Sequence, residues 1–169
     1  MKIENRRFKE ENVFSFDELA EDLSWKLDEG EFCGRVKVNL SLSQGGERYL
    51  FSGKVIAKVK MECSRCLNQY EEPIEASFDF VLKKQGEGFV PEAEEDLLNF
   101  VSEKSDFLVI DQWVKEAIIL GLPLKPLCQE DCKGICPSCG ADLNITSCNC
   151  AKKEVDPRWE KLKKFLNNK

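Results

Sequence analysis

At 169 residues, 42% of them apolar by type, the chain is long enough for one domain with a real core and a small appendage. No apolar run approaches the roughly 20 residues needed to span a bilayer, and the charged start lacks the apolar stretch of a secretory signal, so a reducing cytosol is the expected compartment. The net charge of −6 argues against non-specific duplex binding, which relies on many phosphate contacts, although residues 125–169 hold nine Lys/Arg against six Asp/Glu and leave room for a local basic face.

In the first thirty residues, Ser15 and Glu18 have the spacing of a capping box. This predicts a short helix through Phe16, Leu19, Ala20 and Leu23 after a strand-like lead-in at Val13. Val36, Val38, Leu40 and Leu42 then alternate with polar residues, the period of a half-buried strand. Gln44 to Glu47 supplies a glycine-rich turn. Tyr49, Phe51, Val55, Ala57, Val59 and Met61 continue as a second strand, with a bulge expected at Gly53. Residues 74–82 form a third strand, so Cys63 and Cys66 fall in the connection of an antiparallel meander.

Residues 83–95, with Gly86, Gly88, Pro91 and several acidic residues, read as a solvated loop, followed by a short strand near Leu97–Val101. Ile110, Trp113, Val114, Ala117 and Ile118 recur at helical spacing. They predict a core helix that covers one sheet face and stops at Gly121 and Pro123. From Leu127 to Cys150 cysteine dominates and apolar residues thin out, so this stretch needs a staple to fold. Asp156 and Pro157 are natural N-cap and first-turn residues of a last helix through Leu166. Trp159, Leu162 and Leu166 line one of its faces and lysines another.

The chain has nine cysteines and no histidine. Eight form close pairs: Cys63/Cys66, Cys128/Cys132, Cys136/Cys139 and Cys148/Cys150. In a reducing compartment such pairs point to thiolate metal sites, most simply two zinc ions with four cysteines each. Cys136-Pro137-Ser138-Cys139-Gly140 is a zinc-knuckle sequence, and Cys148/Cys150 is its natural partner. Cys63/Cys66 and Cys128/Cys132 then make the other site, because the predicted helix returns the chain to the end of the sheet that carries the first pair. A local site from Cys128, Cys132, Cys136 and Cys139, or unligated thiols, are the alternatives. Cys33 reads as a buried apolar residue.

Cys132, Cys136 and Cys139 also have the C-x3-C-x2-C spacing of radical iron–sulfur enzymes. No strand–helix repeat precedes them, however, and the thioredoxin-like alternation that a redox CxxC requires is missing too. No nucleophile-and-base constellation, Walker loop or dinucleotide fingerprint occurs, so a non-enzymatic protein is expected.

Four motifs in order carry a resemblance to a known family: Met61-Glu62-Cys63-Ser64-Arg65-Cys66-Leu67, Leu122-Pro123-Leu124-Lys125-Pro126-Leu127-Cys128, Asp131-Cys132-Lys133-Gly134-Ile135-Cys136-Pro137-Ser138-Cys139-Gly140, and Asp156-Pro157-Arg158. Together they resemble the YceD-like family, whose members are called large ribosomal RNA subunit accumulation proteins. The likeness covers roughly residues 30–166. It implies a role in accumulation or processing of large-subunit ribosomal RNA. It also maps Cys63, Cys66, Cys128 and Cys132 onto the family's shared cysteines, and Cys136, Cys139, Cys148 and Cys150 onto an extended form with a C-terminal knuckle. Arg65 and Arg158 match motif positions that no ligand role explains.

The expected architecture is α+β: an antiparallel, barrel-like sheet with a packed helix (1–126), and a zinc-knuckle segment with a basic C-terminal helix packed on it (127–169). The expected function is that of a cytoplasmic assembly factor holding two Zn2+ and binding precursor ribosomal RNA or a ribosomal protein, with no membrane or small-molecule partner. Arg65, Lys133, Lys152, Lys153, Arg158, Lys161, Lys163 and Lys164 are the candidate contacts. A zinc-ribbon DNA-binding or transcription-associated module is the alternative, and an iron–sulfur or thiol-redox protein a weaker one.

Overall fold

The alternating apolar residues of the sequence build one antiparallel sheet. In the computed structural model, which describes residues 1–23, 25–27, 30–85, 88–91 and 106–150, five strands run as a meander in the order β2 (Val13–Leu19), β3 (Glu31–Gly45), β4 (Arg48–Glu62), β5 (Gln69–Gln85) and β6 (Gly88–Pro91). The short strands β1 (Lys2–Glu4) and β7 (Phe107–Val109) pair separately. The five-stranded sheet is open, with β2 and β6 at its two edges, and does not close into the expected barrel.

Period two is strict in the long strands. Val36, Val38, Leu40 and Leu42 of β3 and Tyr49, Phe51, Val55, Ala57, Val59 and Met61 of β4 are all buried on one face. The helix α1 (Asp111–Gly121) covers that face with Trp113, Val114, Ala117 and Ile118. Phe51, Phe80 and Trp113 stack in a column, with ring centroids 4.8 Å and 4.2 Å apart. Burial of each such side chain contributes about 1.5–3 kcal/mol before chain entropy is counted.

Three expectations need correction. Residues 16–19 are strand, not helix: Ser15 pairs with Asn39, and its hydroxyl donates to Asn39 Oδ1 at 2.9 Å instead of capping. Phe14 is buried and Phe16 half-buried on the side that Ser15 and Asp17 leave, so sheet pairing outweighs the capping pattern. Only Ala20–Leu23 turns helical, as a 3-10 segment. Gly53 is not bulged, since it pairs in register with Leu40 and Phe78. It is small because the Phe78 ring lies over it: a Cβ there would sit 2.3 Å from Phe78 Cζ. The register shift falls instead between Cys33 and Lys37, where Gly34 has φ +70°. Finally, Lys83–Gln85 and Gly88–Pro91 are paired strand rather than loop. The strand expected near Leu97–Val101 and the helix expected through 156–166 lie outside the described residues.

The β3–β4 turn is Gly46-Glu47, with φ +65° at Gly46, a primed turn that matches the strand twist. The connection from β4 to β5 carries Cys63 and Cys66. At the far end of α1, Gly121 comes so close to β5 that a Cβ would meet Ile74 Cγ2 at 3.0 Å. The chain therefore leaves the helix beside Ile74 in the first half of β5, on the side of that cysteine pair.

Candidate metal centres

Two CxxC turns share one backbone design. In the first, Leu67 N–H donates to Cys63 O at 2.9 Å and Cys63 N–H to Asn68 O at 2.9 Å. In the second, Gly140 N–H donates to Cys136 O at 2.8 Å and Cys136 N–H to Ala141 O at 2.8 Å. The residue after the second cysteine is left-handed in both, at φ +61° for Leu67 and +73° for Gly140. Glycine adopts this conformation freely, and leucine does so under strain. The folding-back aims backbone N–H groups at the sulfurs.

Cys128 and Cys132 reach the first turn through the segment after α1, where Ser64 donates to Pro126 O from both its N–H and its hydroxyl at 2.9 Å. Cys63 Sγ lies 3.8 Å from Cys132 Sγ, and Cys66 Sγ lies 3.6 Å from Cys128 Sγ. All four sulfurs fall within 4.8 Å of one another, as do those of Cys136, Cys139, Cys148 and Cys150. Four thiolates at about 2.3 Å from one tetrahedral ion stand ~3.8 Å apart; a disulfide would need about 2.05 Å. The local alternative joining Cys128, Cys132, Cys136 and Cys139 is not the arrangement adopted. Cys33 is half-buried on β3 and belongs to neither group.

The thiol chemistry of each group fits a cation. Burial pushes the Cys63 thiol up, but N–H groups of Cys128, Cys66 and Arg65 outweigh it and bring it down to about 6. Its neighbour Cys128 is pushed up to about 12, by burial first and then by the other three cysteines. In the second group Ser138 and Cys139 N–H groups bring Cys136 down to about 6, and Cys139 and Cys136 push Cys150 up to about 12. One thiolate thus opposes the next, and a divalent cation removes that opposition. Tyr70 packs on the first group, and among the described residues its buried hydroxyl meets no partner at full hydrogen-bond geometry, with Glu72 and the Leu127 backbone nearby. Burial differs between the groups: three sulfur residues of the first are buried, whereas Cys139 and Cys150 of the second are exposed.

The two groups are joined side by side. Arg65 donates to Cys132 O at 2.8 Å and Glu130 O at 3.3 Å, and Ile135 N–H donates to Arg65 O at 3.2 Å. Asn68 Nδ2 donates to Asp142 Oδ2 at 2.8 Å. Asn144 donates to Cys132 Sγ at 3.4 Å and accepts from Lys133 N–H at 2.8 Å. Asn68, Asp142 and Asn144 escaped the sequence reading; the Asp-x-Asn spacing, typical of side-chain-to-backbone turns, was the available signal. Arg65 and Lys133 are exposed here, with the Arg65 guanidinium engaged on two carbonyls. Lys152, Lys153, Arg158, Lys161, Lys163 and Lys164 lie outside the described residues.

The model of the family described as large ribosomal RNA subunit accumulation protein YceD matches residues 51–166, a span that contains all eight clustered cysteines. An uncharacterized Mycobacterium tuberculosis protein is 28% identical over 140 residues, covering 83% of this chain and 65% of its own length. Bacillus subtilis YlbN, also uncharacterized, is 28% identical over 158 residues, covering 90% of this chain and 88% of its own length. The Arabidopsis thaliana large ribosomal RNA subunit accumulation protein YCED homolog 1, chloroplastic, is 24% identical over 152 residues, covering 75% and 47%. The chain thus spans 65% of the length of the first mycobacterial relatives and about half of the plant one. No solved structure matches it significantly.

Proposed function

The chain belongs to the YceD family, and from that premise we propose that it is a non-enzymatic factor in large-subunit ribosomal RNA accumulation, built as a zinc-stabilised scaffold that binds precursor RNA or a ribosomal protein. The observation that carries the reading is the matched span itself, which runs from β4 through both sulfur groups. Thiolate-only donor sets at tetrahedral spacing suit zinc. Cys63, Cys66, Cys128 and Cys132 would hold one ion, and Cys136, Cys139, Cys148 and Cys150 the other. When bound, the ions supply cross-linking rather than a reactive water, because four protein sulfurs leave no open position.

The partner surface is the basic C-terminal part, residues 125–169, with Arg65, Lys133, Lys152, Lys153, Arg158, Lys161, Lys163 and Lys164 as contacts. Phosphate contacts by such residues make binding fall steeply with salt. A cytoplasmic site of action is part of the proposal; no described helix is long and apolar enough to cross a membrane.

The test is a sucrose gradient of lysates with and without the protein, probed for the protein and for precursor large-subunit RNA. Co-migration with precursor particles, and their stalling on depletion, is the expected result. Migration only at the top with unchanged subunit ratios would sink the proposal. For the contact surface, Glu at Lys161, Lys163 and Lys164 together should weaken particle association, and unchanged association would clear that face of any role.

A further inference from the structure

We infer that Asn144 couples the two sulfur groups, so that an ion held by the first raises the affinity of the second for its own; this rests on the metal-scaffold reading above. Asn144 lies in the loop that links the Cys136/Cys139 turn to Cys148/Cys150. Its backbone therefore belongs to the second group, while its side chain reaches into the first. Nδ2 donates to the sulfur of Cys132 at 3.4 Å and to Asp142 Oδ1 at 2.8 Å. Oδ1 accepts from Lys133 N–H at 2.8 Å and from Gln129 Nε2 at 3.4 Å. Asp142 fixes the same loop a second time: it takes Asn144 N–H at 2.8 Å on one oxygen and Asn68 Nδ2 at 2.8 Å on the other. Asn68 stands two positions after Cys66.

The direction of the coupling follows from thiolate chemistry. A metal-bound cysteine is deprotonated, and an amide N–H donated to a thiolate is charge-assisted and stronger than one donated to a thiol. An ion in the first group therefore tightens the hold of Cys132 on Asn144. The loop carrying Asn144 is then ordered before the second ion arrives, and preorganisation raises affinity by removing that ordering cost. The sulfurs of the first group are placed by β4, β5 and the segment tied to Pro126. Linkage makes the effect reciprocal: emptying either group weakens the other by the same factor.

The experiment is a Zn2+ titration of the full chain against a chromophoric chelator, with native mass spectrometry counting bound ions. The first group is disabled by C63S with C66S, and the second by C139S with C150S. Each disabled chain is made with Asn144, with Asn144→Ala and with Asn144→Asp. The Asp variant keeps the acceptor for Lys133 N–H but loses the Nδ2 donor to both Cys132 Sγ and Asp142 Oδ1, so it removes the link to the first group independently if the Ala variant does not fold.

With Asn144 in place, disabling one group should weaken the other about tenfold, the range in which groups that orient metal ligands act. With Ala or Asp at 144 the same disabling should change affinity less than about twofold, although both affinities start lower. An equal factor in all three backgrounds would reduce Asn144 to a merely structural part and overturn the inference. Two ions bound with no mutual effect would overturn it alone. Fewer than two ions bound to the unmodified chain would overturn the metal-scaffold reading and this inference with it.

Discussion

Alanine at Gly134 and alanine at Gly140 form a matched pair of perturbations. The two glycines have nearly the same left-handed backbone, φ +74° and +73°. An L side chain there costs about 1–2 kcal/mol, and the stiffer unfolded chain returns ~0.4–1 kcal/mol. The expected loss at Gly140 is therefore about 1 kcal/mol, because no described residue lies within 4 Å of its Cβ position. At Gly134 the same Cβ would stand 2.9 Å from Arg65 O and 3.4 Å from Arg65 Cβ. The obstacle is backbone, so the two cysteine turns must separate. That weakens the Ile135 N–H bond to Arg65 O, worth about 1 kcal/mol, and strains the guanidinium bonds to Glu130 O and Cys132 O, worth ~1.5–3 kcal/mol when the donor is charged. The expected loss at Gly134 is about 2–4 kcal/mol. Urea denaturation of zinc-loaded protein at buffered free zinc reads the difference, since apparent stability moves with free metal. Losses agreeing within about 0.5 kcal/mol would refute the close-contact account of how the turns are joined.

Leu67→Gly relieves the strained turn of the first group while giving up a side chain that is 54% exposed; a gain of about 0.5–1 kcal/mol is expected in the same assay, and a net loss counts against strain at this position. Gly53→Ala drives a methyl group to 2.3 Å from the Phe78 ring; overpacking should cost about 1–3 kcal/mol and disturb the near-ultraviolet dichroism of the aromatic column, and an unaltered spectrum would speak against it. Chelation of the metal should open residues 127–150 to protease while the sheet's far-ultraviolet signal persists; simultaneous loss of both would show that the sheet depends on the clasp. Cys136 titrates at about 6 in the fold against an ordinary 9.0, so its contribution to stability is complete above pH 9 and disappears as pH falls through 6. Metal retention should decline in the same direction, and retention that improves on acidification would contradict thiolate ligation.

The long strands were legible because one face of each is buried, which makes the period in the sequence strict. The helix at 111–121 was legible for the same reason at its own period. Segment 16–19 was misread because a local capping pattern said nothing of the neighbouring strand that captures Ser15. Gly53 was read as a bulge because a missing side chain in a strand has two meanings, and only the ring opposite it decides between them. The β1–β7 pairing joins three-residue strands from distant parts of the chain and leaves no periodic trace. Among the cysteines, spacing alone suggested the second group. The first required knowing where α1 ends relative to β5. Asn68, Asp142 and Asn144 work through side-chain hydrogen bonds, which leave no period in the sequence to announce them.

The first sulfur group joins positions far apart in the chain: Cys66 and Cys128 are 62 residues apart. An ion there joins them only in the fold, so its binding free energy adds to the folding free energy and grows with free metal. The second group closes a much shorter loop. The first ion is also a reporter of topology. Its four ligands come from the β4–β5 connection and from the segment after α1, so a complete site reports that these two parts have met. A chain that holds metal at this position has joined cysteines 62 and 69 residues apart, and one whose sheet is misassembled offers two half-sites of two sulfurs each.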